Sequence, residues 1–140
     1  NIEQLIQMIV SMLPEGPQYF PEDMITDQPE KVIVAELIRE KLLYYLRDEV
    51  PHGVAVEVES MKKRDEKDIV DIQAVIYCEK KSHKGIIIGK GGRKLKGIGK
   101  HARIDIENLL GSKVFLELWV KVKEDWRVQE MMLKQLGYKP

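Results

Sequence analysis

Three stretches of the sequence alternate between apolar and polar residues, and this period limits the possible folds more than any other feature. Two of them lie at 54–59 and 70–76, and the third lies at 114–122. A period of two is typical of strands that bury one face. The charged run 62–68 between the first two indicates a solvent-exposed hairpin loop. We therefore expect three strands, the first two joined as a hairpin.

Helical spacing of apolar residues surrounds these strands. It predicts helices over about 2–13, 28–47, 82–88, 93–110 and 124–136. From residue 28 the order is helix, strand, strand, helix, helix, strand, helix. This order predicts an α+β fold with a three-stranded sheet and helices packed on one face. An N-terminal helix (1–13) and a proline-rich linker (14–27) precede the predicted domain at 28–140, which ends in a C-terminal helix.

The apolar stripes of the two long helices define the expected core. They comprise Val34, Ile38, Leu42 and Tyr45 in the first helix and Leu95, Ile98, Ala102, Ile106 and Leu109 in the second. Trp126 is expected to pack in the core or on a helix. Residues 27–30 resemble a capping box, Ser82 is expected to cap the short helix, and Gly111 is expected to end the second long helix.

Composition excludes several classes of protein. The chain has 140 residues and is 44% apolar, which suits one modest domain. Its single cysteine, Cys78, excludes a disulfide framework and a zinc site built from several thiolates. His52, His83 and His101 have no metal-ligand spacing, so no metal site is expected. No apolar run approaches the roughly 18–20 residues that span a bilayer.

Charge is strongly segregated although the formal net charge is zero. Residues 1–30 contain no lysine or arginine, whereas residues 80–103 contain nine basic residues and no acidic one. Such a block projects a local positive field that attracts a polyanion and weakens with salt. The alternative interpretation is a solvated lysine-rich surface.

The glycine-rich part of this block admits three interpretations. A P-loop is excluded because Gly85 and Gly89 are one residue too close and Lys90 is not followed by Ser or Thr. A dinucleotide-binding fingerprint at 97–102 is excluded because that stretch lies inside a helical period. Gly97 and Gly99 are better explained by close packing, each at about 1 kcal/mol in helix propensity.

The third interpretation treats 89–92 as a G-x-x-G turn between two helices. Small residues let a sugar-phosphate backbone approach the main chain, and the amides at the start of the second helix favour an anion. KH folds clamp about four nucleotides of single-stranded RNA in this way. The candidate RNA-binding residues are Lys84, Ile86, Ile87, Ile88, Gly89, Lys90, Gly91, Gly92, Arg93, Lys94 and Lys96. The three isoleucines and the neighbouring strand are expected to line a groove for the bases. A tight interhelical turn without a ligand is the structural alternative.

These motifs resemble a type II KH domain, and more closely the C-terminal RNA-binding half of Era-type GTPases. The resemblance rests on the stretches 81–92, 95–99, 102–107 and 121–127, and on a linker-like stretch at 14–21. Residues 1–13 resemble the last helix of the GTPase domain in that family. His83 occupies a position where many relatives have glutamine.

The resemblance implies binding to single-stranded RNA near the 3′ end of small-subunit ribosomal RNA, and a role in maturation of the 30S subunit. In that family GTP and Mg²⁺ bind an N-terminal GTPase domain, whose phosphate-binding and base-reading motifs are missing from this chain. We therefore expect no enzymatic activity and no cofactor in the chain itself. The family also implies a cytoplasmic monomer whose parent protein associates loosely with membranes.

Two other functions remain open on the sequence alone. The chain could be a protein-docking module in which the acidic first 30 residues and the basic block contact a ribosomal protein or the missing GTPase half. It could also be a nucleotide-using enzyme, although no general base, metal cluster or intact phosphate motif supports that function.

Overall fold

The computed structural model describes residues 1–17, 29–46, 53–65 and 67–137. The elements along the chain are α1 (Ile2–Met12), α2 (Glu30–Leu46), β1 (Val54–Lys63), β2 (Ile69–Cys78), α3 (Lys81–Ile88), α4 (Arg93–Leu110), β3 (Lys113–Val122) and α5 (Glu130–Gln135). This order confirms the predicted arrangement of helices and strands. Asp27 and Gln28 of the expected capping box lie outside the described residues, as do 18–26 of the linker and the expected end of α2 at Arg47.

The three strands form one mixed sheet in the order β1-β2-β3. The first two are an antiparallel hairpin, whereas β2 and β3 are parallel and pair from Ile69–Lys113 to Cys78–Val122. A parallel pair needs a crossover connection. Here α3, the turn after it and α4 are that connection, so the glycine-rich segment crosses one face of the sheet.

Strand β1 is longer than predicted. It runs to Lys63 instead of ending before a loop at 62–68, because residues 60–63 pair with β2 after a one-residue register shift between Val58 and Ser60. A bulge of this kind lets two residues on one strand oppose one on the other. After the shift Met61 packs against the core, and the polar end of the strand stays paired with β2.

Helices α2, α3 and α4 cover one face of the sheet and bury the main core. The α2 stripe is Val34, Ile38, Leu42 and Leu46, so Leu46 replaces the predicted Tyr45. In α4 the predicted Ile98, Ala102 and Ile106 are fully buried. Leu109 is wrong as a core residue, since its exposed fraction is 43%. The spacing stays at four to the helix end, and Leu110 packs on the core instead.

Gly111 ends α4 as predicted. Its φ is +65°, and its amide donates to the Glu107 carbonyl at 2.9 Å, which is a left-handed helix end that glycine favours. The Glu107 carboxylate then accepts a hydrogen bond from the Val114 amide at 3.1 Å. That bond, together with Lys113, holds the pKa of Glu107 below its ordinary value. The end of α4 is thereby fixed to the start of β3.

The other face of the sheet is covered at one end, a feature that the prediction of helices on one face did not include. A second cluster contains Ala55, Val75, Tyr77, Trp126 and Met132. The predicted helix 124–136 is wrong as a continuous element, because the chain forms a 3₁₀ turn at Trp126–Val128 before α5. Asp125 has a φ of +51°, which breaks the helical path. The Trp126 indole N–H donates to the Gly53 carbonyl at 3.2 Å.

Helix α1 stands apart from both clusters. None of its residues is buried, and its apolar residues are exposed. Across the described ranges, no helix is both long and apolar enough to cross a membrane.

We expect Trp126→Ala to lower the free energy of unfolding by about 3–5 kcal/mol, because the indole fills the centre of the second cluster. Urea denaturation followed by circular dichroism measures this. Trp119→Ala is the matched control: that side chain is 57% exposed, so a change within about 0.5 kcal/mol is expected. Equal losses for both variants would contradict the assignment of Trp126 to a core.

We expect the free energy of unfolding to fall at alkaline pH because of Tyr77. The pKa of Tyr77 is raised to about 12. The larger cause is burial of the hydroxyl, and the second is the hydrogen bond that the hydroxyl donates to Glu57 at 3.0 Å. In the unfolded chain the hydroxyl ionises at about 10. The protonated Tyr77 hydroxyl therefore contributes its full stabilisation of the folded state below a pH of about 10. This stabilisation is lost as the pH rises to about 12.

Urea denaturation across that interval provides the test. Tyr77→Phe should lose less stability with rising pH than the unchanged chain. An identical pH dependence would show that other groups cause the alkaline loss.

Candidate nucleic-acid interface

The turn between α3 and α4 has a backbone that depends on glycine. Gly89, Gly91 and Gly92 have φ angles of +71°, +62° and +74°. A side chain at Gly89 would place its Cβ 2.7 Å from the Lys94 Cβ, so packing as well as backbone angle requires glycine there. A Cβ on Gly91 or Gly92 would meet no atom of the described residues within 4 Å. The side of the turn at these two residues is therefore open.

Hydrogen bonds hold this turn against both helices. The Gly89 amide donates to the Gly85 carbonyl at 2.9 Å and ends α3, and the Gly92 amide donates to the Gly89 carbonyl at 3.1 Å. Gly92 precedes the first residue of α4 and has no side chain to cap that helix. The Arg93 amide, the first of α4, donates to the Lys90 carbonyl and so has a partner within the turn. The start of the helix carries partial positive charge from the aligned peptide dipoles. The start of α4 is thus suited to an anion.

The basic block 80–103 forms no ion pairs in the part of the chain that the structure describes. None of its nine cations lies within 4.0 Å of a carboxylate among the residues that the structure describes. Seven cations elsewhere in the chain form ion pairs, namely Arg39, Lys41, Lys63, Arg64, Lys113, Lys121 and Arg127. The positive field predicted from the sequence is therefore offset by no ion pair in this segment, although the Glu107 carboxylate interacts with Arg103 at its end.

The predicted cationic site residues differ in exposure. Lys84, Lys90, Arg93 and Lys96 are exposed, whereas Lys94 is half-buried beside Gly89. All five flank the glycine turn in sequence. The structure thus leaves four of these cationic side chains free to meet a ligand in solvent.

The isoleucines of α3 do not form a common wall. Ile87 is fully buried in the main core, while Ile86 and Ile88 are half-buried against it. Successive side chains on a helix point about 100° apart, so three in a row cannot face one groove. The prediction that Ile87 lines a groove for bases is wrong, because Ile87 supports α3 from beneath.

A groove does lie beside the turn, between α4 and the edge strand β3. Its volume is about 460 Å³. The lining residues are Leu95, Lys96, Gly99, Lys100, Arg103, Phe115, Leu116 and Leu118. Leu95 and the two β3 leucines provide apolar surface, and the cations come from one side of α4. The groove begins within one helical turn of Gly92.

Sequence reasoning missed most of this lining. Lys100 and Arg103 belong to the acid-free block, so their charge was a usable signal. Leu116 and Leu118 were assigned only to a strand, since the sequence did not specify which strand packs beside α4. Their place in the groove follows from the parallel pairing of β2 and β3.

Other reactive side chains have structural surroundings. The Cys78 thiol is buried, which raises its pKa. Nδ1 of His101 lies 2.7 Å from the Tyr45 hydroxyl. Ser82 is inside α3, whose cap position is Lys80, so the predicted serine cap is wrong. Within the described ranges, no three His, Cys, Asp or Glu residues form a group that could hold a metal ion.

Almost the whole of this sequence is similar to part of GTPase Era. GTPase Era of Alkaliphilus metalliredigens is 75% identical over 138 residues, and that of Clostridioides difficile is 66% identical over 138 residues. These alignments cover 99% of this chain but 47% and 46% of the two relatives. The chain therefore spans about half the length of the curated relatives it matches.

Solved structures of Era have the same fold. A point variant of Aquifex aeolicus Era bound to GDP and AlF4⁻ superposes with a TM-score of 0.93, and Era in complex with MgGDPNP and nucleotides 1506–1542 of 16S ribosomal RNA superposes with 0.94. Each is 43% identical, covering 100% of this chain and 47% of the other. The family model described as "KH domain" matches residues 49–127. This match over more than half of the sequence, together with the glycine turn and the parallel strand pair, shows that the chain belongs to the KH domain family.

Proposed function

We propose that the chain binds single-stranded RNA, with the sugar-phosphate backbone on the glycine turn 89–92 and the bases in the groove between α4 and β3. The observation that carries this proposal is an open glycine turn at the start of α4, flanked by nine cations with no ion-pair partner in the described chain. The solved Era complex supports it, because that protein holds a segment of 16S ribosomal RNA.

The turn supplies the phosphate contacts. At Gly91 and Gly92 no side chain separates the main chain from a ligand, so a phosphate can lie close to the positive end of the α4 dipole. Lys90 and Arg93 are exposed on either side of these glycines and add charge. A double strand does not present its bases to a groove of this kind, whereas an unpaired strand does. RNA with free base edges is therefore the ligand class that fits best.

The parent protein is proposed to be an Era-type GTPase that acts on the small ribosomal subunit in the cytoplasm. GTP and Mg²⁺ would bind outside this chain, since its residues do not fit them: the sequence has no G-x-x-x-x-G-K followed by Ser or Thr. The RNA ligand would be the 3′ end of small-subunit ribosomal RNA, and the assembly would be the 30S subunit.

Helix α1 supports a second, compatible role in protein docking. Its apolar residues, including Leu5, Ile6 and Ile9, are about half-exposed or more and belong to neither apolar cluster of the described residues. An apolar helix face of this size is typical of an interface. We propose that it packs against the part of the parent protein outside this chain, as expected for the last helix of a GTPase domain.

Reversing charge in the turn should abolish RNA binding without unfolding the chain. In Lys90→Asp with Gly91→Asp, the new side chain at 91 enters open space, and aspartate is among the residues that tolerate a positive φ. Loss of these two phosphate contacts should weaken binding by about 100-fold or more. Fluorescence polarisation with a short single-stranded RNA measures it, and circular dichroism and Tm should stay nearly unchanged.

A matched control is Lys67→Asp with Gly16→Asp. It makes the same charge change at an exposed lysine and a glycine with open space, both outside the glycine turn. RNA affinity should change little in this variant. Equal losses in the two double variants would assign binding to net charge alone, and loss of the fold in the first would give the turn a structural role.

Salt dependence provides an independent count of phosphate contacts. For about four neutralised phosphates of a single strand, log K against log salt should have a slope near about −3. Lys90→Ala should reduce its magnitude by about 0.7, while Lys67→Ala should leave it unchanged. A slope near zero, with affinity independent of RNA length, would favour protein docking as the main function.

A further inference from the structure

Helix α4 contains two interior glycines, Gly97 and Gly99. Glycine disfavours a helix interior relative to alanine, because it has more backbone freedom to lose. Both were expected to allow close packing, so the contacts that a Cβ would make at each position are informative.

Close packing explains Gly97. A Cβ there would lie 3.0 Å from the Tyr45 hydroxyl oxygen and 3.1 Å from its ring carbon Cε1. The same hydroxyl is held by His101 at 2.7 Å, so Tyr45 is not free to move aside. Glycine at 97 is therefore what lets α2 and α4 approach each other.

Close packing does not explain Gly99. Among the described residues, the one heavy atom that its Cβ would meet within 4 Å, outside its own helix and chain neighbours, is Cδ1 of Leu118 at 3.4 Å. That atom is the end of a flexible, half-buried side chain that itself lines the groove. An alanine would be accommodated with almost no displacement. The fold therefore does not require glycine at this position.

Gly99 instead leaves a gap in the wall of the groove. Leu95 lies about one helical turn before it and Arg103 about one turn after it, and all three line the groove. The two flanking residues are separated by ~12 Å along the helix axis. No side chain stands between them in this row of the helix, although Lys96 and Lys100 line the groove beside it. The Leu118 Cδ1 lies 3.4 Å from the position of the missing Cβ and forms the bottom of this gap.

We propose that the gap at Gly99 seats one unpaired base of the bound RNA and that Gly99 sets the depth of the groove for that base. This inference rests on the proposed RNA binding. The base lies between the side chains of Leu95 and Arg103, against Leu118, with an apolar contact at one end and a guanidinium at the other. Stacking of an arginine plane on a base is a common contact to single-stranded RNA.

The test fills the gap from either side. Gly99→Ala should keep or raise Tm, because alanine is the better helix former, and should weaken binding of the 140-residue chain by about tenfold. The probe is an RNA with the sequence of nucleotides 1506–1542 of 16S ribosomal RNA. Leu118→Phe fills the same gap from β3 without changing α4, and should also weaken binding by about tenfold.

Gly97→Ala is the matched control. It makes the same chemical change two residues away, where it should lower Tm by displacing Tyr45 and leave the affinity of the folded chain unchanged. The inference is overturned if Gly99→Ala and Leu118→Phe bind the RNA as tightly as the unchanged chain. Suppose that this happens while the unchanged chain binds RNA and the Lys90→Asp, Gly91→Asp variant does not. The proposed RNA binding then stands, and only the role of Gly99 is removed. Failure of the unchanged chain to bind would remove the proposed function and this inference together.

Discussion

The parallel pairing of β2 with β3 is the constraint on which the rest of this structure depends. All ten residues of β2 pair with β3, and the two strands run in the same direction. The connection between them must therefore cross the sheet before it returns. Helices α3 and α4 make that crossing, so the turn between them and the edge strand border the same groove. The candidate RNA site is a direct result of strand direction.

Fold and site place different demands on the glycines of this crossing. A Cβ at Gly89 would be too close to Lys94, and a Cβ at Gly97 would be too close to Tyr45. These two glycines are therefore needed for close packing. Gly91 and Gly92 have positive φ angles but face open space, and Gly99 is close only to a flexible leucine tip. The two groups alternate along 89–99. A single short segment thereby builds the core on one side and leaves the main chain accessible on the other.

Local periodicity was sufficient to predict the order of the helices and strands, the fully buried Ile98, Ala102 and Ile106, and the end of α4 at Gly111. Features that depend on distant contacts were not predictable. The bulge after Val58 is visible only in the pairing of β1 with β2. The alternation of apolar and polar residues therefore did not show that β1 continues to Lys63. The C-terminal segment is broken so that Trp126 reaches Gly53, a contact between residues far apart in the chain.

The candidate site, like the fold, was predicted where its residues are contiguous in sequence and missed where distant segments meet. The glycine turn and its cations are contiguous in sequence and could be identified there. The groove combines α4 with β3, and which strand lies beside α4 depends on strand order, so Leu116 and Leu118 were not recognised. Ile87 was misassigned because an apolar run does not specify which of its members point inward.

The uncompensated cations of 80–103 also have a thermodynamic consequence for the free chain. Like charges held close together repel, and the folded state concentrates them on one short crossing of the sheet. On the proposed function, a polyanion bound to the folded form would reduce that repulsion, so occupancy and folding would be linked equilibria. The chain with its site empty would then be less stable than the occupied chain, and a multivalent anion bound at the crossing would make the domain more resistant to heat.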